Sequence, residues 1–178
     1  MPILRRLLAT CLLVPALYGC AGIDPETYRG ERPEFALERY FNGHVDAWGV
    51  VTDRSGKVLQ RFTVAMRGTW QGERGTLDED FTYADGRREK RVWHIVREGP
   101  GRYTGRAGDV VGEARGIAAG NALNWRYTLE VPVGGDRYHL DFDDWMFLID
   151  EDVLLNRAVM SKFGVRVGEV LLSFRRRR

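Results

Sequence analysis

From about residue 46 onward the chain alternates apolar and polar positions in short runs divided by turn residues. Residues 46–52 lead into the turn Asp53-Arg54-Ser55-Gly56. In 57–70, Phe62, Val64, Met66 and Trp70 fall on one face, and Arg61, Thr63 and Arg67 on the other. Leu77, Phe81 and Tyr83 mark the next strand. Asp85-Gly86 closes it, a pair suited to a tight hairpin because both central residues of such a turn take positive φ. Residues 88–97 follow, ending at Gly99-Pro100-Gly101. The glycine-rich stretch 101–120 leaves room for strands at 102–107 and 113–118. Leu123, Trp125, Tyr127, Leu129 and Val131 then form the clearest two-residue period in the chain. Gly134-Gly135 turns that run into 137–149, Asp150-Glu151-Asp152 leads to 153–160, and Gly164 leads to 165–174.

No long stretch beyond residue 36 carries the three-to-four-residue stripe of an amphipathic helix. The pattern predicts an all-β fold, an antiparallel up-and-down meander of about 8–10 strands. A meander that long leaves exposed edges unless it closes on itself, so a barrel is the expected architecture. A membrane-spanning barrel is the rival all-β reading. Its lipid-facing wall would have to avoid Arg61, Arg67, Asp78, Asp80, Arg126 and Glu130 in mid-strand, and a water-facing exterior is the better fit.

The N-terminus reads differently. Arg5 and Arg6 precede an apolar run from Leu7 to Gly19, too short for a spanning helix and of the right length for a secretory signal. The run ends in Ala16-Leu17-Tyr18-Gly19-Cys20, which resembles a bacterial lipobox with a bulkier residue than usual at Tyr18. The resemblance implies cleavage between Gly19 and Cys20 and acylation of the Cys20 thiol. Cys11, the other cysteine, is a poor acceptor because Thr10 precedes it and the apolar run would be cut short. Removal of 1–19 leaves one cysteine and no possible internal disulfide. Two or three acyl chains anchor a protein stably, at about 0.8 kcal/mol per buried methylene. Ala21 stands where an inner-membrane retention signal would place Asp, which implies the outer membrane, periplasmic face. The expected organisation is a signal peptide (1–19), a lipidated tether (20–36) containing Pro25 and Pro33, and a single β-barrel domain (37–178).

Charge narrows the function classes. The 178 residues carry 27 basic and 25 acidic side chains, and the basic excess sits in Arg5, Arg6 and the terminal Arg175–Arg178. The body between them is slightly acidic, which is not the footprint of a nucleic-acid-binding domain. His44, His94 and His139 lie far apart with no metal-ligand spacing, so neither a metal nor a cofactor is expected. No serine sits in a nucleophile elbow, and the glycines of 112–120 precede no phosphate-loop Lys-Ser/Thr.

The most informative cluster is His139, Asp141, Asp143 and Asp144, running into Trp145-Met146-Phe147-Leu148-Ile149. Leu140 and Phe142 mark the buried face up to that point. From Trp145 both faces are apolar, which predicts a bulge or a switch near Asp143-Asp144. Asp141, Asp143 and Asp144, with Arg126 and Arg157 as cationic partners on neighbouring strands, form a candidate polar cluster. It serves either to hold a ligand or to fix strand register. Trp48, Trp70, Trp93, Trp125 and Trp145 are candidate cavity-lining residues, although aromatic side chains are also ordinary barrel core.

Several motifs together resemble an uncharacterised bacterial lipoprotein family, domain of unknown function family 3833, from Phe41 to Phe174. They include Phe41-Asn42-Gly43, Ala47-Trp48-Gly49, Gly68-Thr69-Trp70, Gly75-Thr76-Leu77-Asp78-Glu79, Asn124-Trp125-Arg126-Tyr127, Phe142-Asp143-Asp144-Trp145-Met146 and Ser161-Lys162-Phe163-Gly164. The resemblance implies lipoprotein character and a shared fold, and no established activity.

The expectation is therefore a lipocalin-like (calycin-like) barrel, monomeric and outer-membrane-anchored through Cys20. It would bind an apolar ligand such as a fatty acid or lipid without catalysis. The alternatives are an envelope-maintenance protein with a filled core acting by protein contact, and an isomerase- or cyclase-like enzyme using Asp141, Asp143 or Asp144.

Overall fold

The computed structural model describes residues 22–178. The signal segment 1–19 and the expected cleavage and lipidation positions, Gly19 and Cys20, lie outside the described residues. Ten strands follow one another: β1 (Gly43–Asp53), β2 (Val58–Gln71), β3 (Arg74–Tyr83), β4 (Arg88–Gly99), β5 (Arg102–Arg106), β6 (Ala114–Ala119), β7 (Ala122–Val133), β8 (Asp136–Leu148), β9 (Val153–Lys162) and β10 (Val165–Arg176). Each pairs antiparallel with the next, and β1 pairs with β10, so the meander closes into a barrel with no free edge. The two-residue period determines which side faces in. On β2, Phe62, Val64 and Met66 are buried while Arg61, Thr63 and Arg67 are exposed.

The exterior is built for water. Arg67, Asp78, Asp80 and Lys90 stand in mid-strand, with the Lys90 ammonium 3.4 Å from Asp78 and 3.6 Å from Asp80. A lipid-facing wall would not carry such a group. Among the described residues no helix is long and apolar enough to cross a membrane.

One end of the barrel is plugged. A single helical turn, α1 (Leu37–Tyr40), lies across it and buries Leu37, Tyr40 and Phe41. The plug is latched by polar contacts: the Tyr103 hydroxyl donates to Glu38 at 2.7 Å and the Tyr40 hydroxyl to the Asp152 carbonyl at 3.0 Å. A glycine makes the approach possible, since a Cβ on Gly68 would stand 1.6 Å from the Phe41 carbonyl oxygen. The basic C-terminus belongs to this end too, with Arg177 hydrogen-bonded to Asp46 at 2.6 Å and Arg178 2.6 Å from Asp152.

The segment expected to be a tether does not hang free over its described part. Residues 25–28 form a 3-10 turn with Pro25 buried, Phe35 joins the core, and the Phe35 amide donates to the Gly120 carbonyl at 2.7 Å. Its proline content suggested a linker. The apolar Pro25, Tyr28 and Phe35 instead find partners on the barrel, which outweighs the entropy of leaving the segment loose.

The same docking explains the two-sided apolar run of β8. Pairing of β8 with β7 and with β9 runs through 141–148 without a shift, so the predicted bulge at Asp143-Asp144 is absent. Trp145 and Phe147 point outward and are covered by Tyr28, whose ring meets theirs edge-on at 5.8 and 5.3 Å.

Candidate functional site

The inward-facing rows leave a cavity of about 430 Å³. It extends from Leu37 and Phe41 at the plug toward Gln60, Val131 and Pro132 near the opposite end, where the hairpins turn. Most of its wall is apolar, including Phe62, Met66, Phe142 and Met146. Its volume falls within the range of small-molecule sites, roughly 300–1,000 Å³. The core is hollow rather than filled.

Of the five tryptophans, Trp93 and Trp125 line this cavity, meeting edge-on at 5.7 Å. They touch across the short β5 and β6 because those strands present glycines there. A Cβ on Gly105 would lie 2.6 Å, and one on Gly116 2.3 Å, from the Trp125 ring. The other three expectations are corrected. Trp48 is 51% exposed on the outer wall, Trp70 packs over Gly75, and Trp145 lies under Tyr28 outside the barrel. Strand phase decides Trp48 and Trp145: Trp48 falls out of step with Val45 and Ala47, which face inward, whereas Trp70 has the inward phase but is taken up in packing over Gly75.

The polar cluster also divides by phase. Asp141 and Asp143 face outward; Asp141 accepts from the Thr128 hydroxyl at 2.7 Å. Asp143 accepts from Asn124 at 2.7 Å and from Arg126 at 3.2 Å. Arg157 pairs with Glu169, not with an aspartate of β8. Only Asp144 enters the barrel, 6% exposed, and the expected arginine partner is missing because Arg126 and Arg157 both project from the other side. Its carboxylate is held by the Asn156 amide and by the Tyr127 hydroxyl, at 3.2 Å from the latter. Burial pushes the Asp144 pKa up from 3.8 to about 7, with Asn156 and Tyr127 pulling it down.

Across the cavity stands a group that the motif reading passed over. Glu79 of β3 and Arg91 of β4 are cross-strand partners, both facing inward. Glu79 is 8% exposed, its Oε2 3.7 Å from the Arg91 guanidinium and without a hydrogen-bond partner. Desolvation raises its pKa from 4.5 to about 7 against the pull of Arg91 and of the Trp93 indole N–H, which donates toward the carboxyl group. Arg91 gives its short bonds to Asp109, at 2.7 and 2.9 Å. Asp109 reaches it from the 107–113 loop, which is held to β7 by the Glu130 amide donating to the Asp109 carbonyl at 2.9 Å. Burial alone would discourage the Arg91 charge; Glu79 and Asp109 overcome it and keep the guanidinium protonated. The signal was present in the sequence. Glu79 is in step with Leu77 and Phe81, and Arg91 with Trp93 and Ile95, so both are charged residues in an apolar row.

Deep in the barrel the cavity thus combines an apolar chamber, one arginine already engaged, and three carboxyl groups, while Arg87, paired with Glu89, and Glu130 line its outer part. Two of its buried acceptors have no donor: Glu79 Oε2 and Asn156 Oδ1. The Asn156 orientation is determined by its amide nitrogen, which donates both to Asp144 and, at 3.1 Å, to the Trp145 carbonyl.

Residues 14–176 match the family described as protein of unknown function (DUF3833). No curated protein matches the sequence. Among solved structures, a protein of unknown function from the DUF3598 family of Nostoc punctiforme superposes with a TM-score of 0.58 at 14% identity, over 83% of this chain and 51% of its own. This chain therefore spans about half the length of that protein. The S-type phycobiliprotein lyase of Guillardia theta superposes with a TM-score of 0.56 at 7% identity, over 86% of this chain and 97% of that one. At these identities the likeness is one of fold, a lipocalin-like barrel.

Proposed function

We propose that this chain, which belongs to the DUF3833 family of proteins of unknown function, holds an apolar small molecule inside its barrel. The hollow interior of about 430 Å³ carries this reading. A filled scaffold is disfavoured by the same cavity. The ligand's polar end is a hydrogen-bond donor, because Glu79 Oε2 and Asn156 Oδ1 are buried acceptors with nothing to accept from. A buried polar group left unpaired costs about 1–3 kcal/mol, so a hydroxyl, amide or amine placed there is worth more than extra hydrocarbon. An ionised fatty acid is the poorer fit, since it would join Glu79, Asp109 and Asp144 around an arginine that Asp109 already occupies.

Displacement of an apolar fluorescent dye from the full chain tests this. A long-chain alcohol is expected to bind on the order of tenfold tighter than the matching carboxylate at alkaline pH. Equal displacement by both, or by neither, counts against the proposal. Acid–base chemistry on the bound molecule is the second reading, favoured by two buried carboxyl groups poised near neutrality in one chamber. Its mark would be ligand recovered in isomerised form; ligand recovered unchanged speaks for binding alone.

We further propose that the protein is a lipoprotein of the outer membrane facing the periplasm, anchored through Cys20. The motif Leu17-Tyr18-Gly19-Cys20 supports it. Cys20→Ser is expected to abolish incorporation of a fatty-acid label in cells, because that thiol is the only one left after cleavage and Cys11 lacks a small residue before it. Continued labelling of the variant would overturn the assignment.

A further inference from the structure

The end of the barrel opposite the plug carries apolar side chains that nothing covers. Phe163, at the tip of the β9–β10 hairpin, is 91% exposed. It is also the one non-glycine among the described residues with positive φ, at 52°, followed by Gly164 at 76°. Such a turn favours Asn, Asp or Gly at its first position, so a phenylalanine there is costly both in backbone conformation and in exposed apolar surface. Around it Val165, Val133, Val58 and Leu59 are exposed as well. They form one rim. The β9–β10 tip lies between the β7–β8 tip, which carries Val133, and the β1–β2 tip, which leads to Val58 and Leu59. Exposed apolar tips on three neighbouring hairpins, set among polar groups, mark an interaction site.

Charge identifies the partner. The same three tips present Arg54, Lys57, Arg137, Lys162 and Arg166 against Asp53 and Asp136. The Asp53 carboxylate is engaged within its own turn, accepting from Ser55 at 2.8 Å and from the Lys57 amide at 3.1 Å. Arg137 and Arg166 pair with Glu130 and Glu169; Arg54, Lys57 and Lys162 have no ion-pair partner among the described residues. Lys162 lays its ammonium over the Tyr138 ring at 3.8 Å, an amphipathic arrangement suited to a polar–apolar boundary. Protruding apolar tips set among unpaired cations match the anionic headgroup layer of a bilayer, with the tips entering the acyl boundary. The cavity wall rises to Val131 and Pro132, directly below Val133, so its contents would enter from that side.

We infer that this hairpin rim, with Phe163 at its centre, docks on a bilayer bearing anionic headgroups. Docking does not depend on which ligand the cavity takes, and its test reads no ligand. Hydrogen–deuterium exchange of the full chain, compared on phosphatidylglycerol-containing vesicles and on pure phosphatidylcholine vesicles, decides it. Exchange is expected to slow at 56–59, 133–135 and 161–167 on the anionic vesicles, and to stay unchanged on the outer wall around Trp48. Phe163→Gly is expected to lose that slowing while melting at or above the wild-type temperature, since glycine relaxes the turn. Equal exchange on the two vesicle types, or slowing retained by Phe163→Gly, overturns the inference. So does slowing that arises without lipid and grows with protein concentration, which would assign the rim to a second copy of the chain.

Discussion

Arg91→Leu is expected to be the most damaging single substitution inside the barrel. Among the described residues the guanidinium is the only cation paired with Glu79, at 3.7 Å, and it also holds Asp109 at 2.7 and 2.9 Å. Its removal strands a buried carboxyl group that has no other charge partner among the described residues, and frees the 107–113 loop from the β4 wall. Breaking a buried pair by deleting one member costs about 3–5 kcal/mol where the survivor stays charged, as Glu79 does at alkaline pH. Asp109 is partly solvated, which favours the lower end of that range. For a domain of this size the loss corresponds to a melting temperature lower by roughly 10 °C. The penalty should shrink in acid, where Glu79 takes up a proton and no longer needs a cation. Lys90→Ala, one residue away on the outer face, removes only exposed ion pairs and should change stability by less than about 0.5 kcal/mol. Thermal melts of both variants at two pH values test the argument. A loss for Arg91→Leu no larger than for Lys90→Ala would mean that water, not the arginine, neutralises the chamber.

Stability is expected to fall as pH rises from about 5 to about 8, and Asp144→Asn to flatten that fall. Asp144 and Glu79 have folded pKa values near 7, raised from ordinary values of 3.8 and 4.5 by burial. Below the unfolded pKa both groups are protonated whether the chain is folded or not. Between the unfolded and folded values the barrel keeps protons that the unfolded chain has already lost. Each unit of pH in that window lowers stability by about 1.4 kcal/mol per group, and nothing more is lost above the folded pKa. The exposed carboxylates held low, such as Asp46 beside Arg177, act in the opposite direction and only at more acid pH. Asparagine at 144 preserves shape and can still accept from Asn156, yet it never ionises. It should stabilise the barrel by about 3 kcal/mol more at pH 8 than at pH 5. Urea unfolding of the two chains at both pH values provides the check. Parallel pH profiles would show that Asp144 is not the group that titrates.

The strands were legible in the chain because alternation is a local property. Phe62-x-Val64-x-Met66 and Leu123 to Val131 each have a two-residue period that a strand alone can satisfy, and pairs such as Asp85-Gly86 and Gly134-Gly135 meet the φ demands of their turns. Closure followed from the cost of unpaired edges. The same local rule sorts Asp141 and Asp143 from Asp144, and it places Glu79 and Arg91 in apolar rows.

What the sequence could not determine is which groups meet across space. That Arg126 serves Asp143 while Asp144 rests on Asn156 and Tyr127 depends on the register of three strands, where a shift of one residue turns every side chain to the other face. That Trp145 and Phe147 are apolar on the outside follows from Tyr28, some 120 positions earlier in the chain, folding back over them. Whether the barrel is hollow is a difference between wall volume and enclosed volume, and it rests on where Gly105 and Gly116 let Trp125 lie. Donor and acceptor totals of single residues cannot reveal an unmet acceptor either. Glu79 Oε2 and Asn156 Oδ1 lack partners only because packing brings no donor to them, and the chemistry of the site resides in that tertiary arrangement.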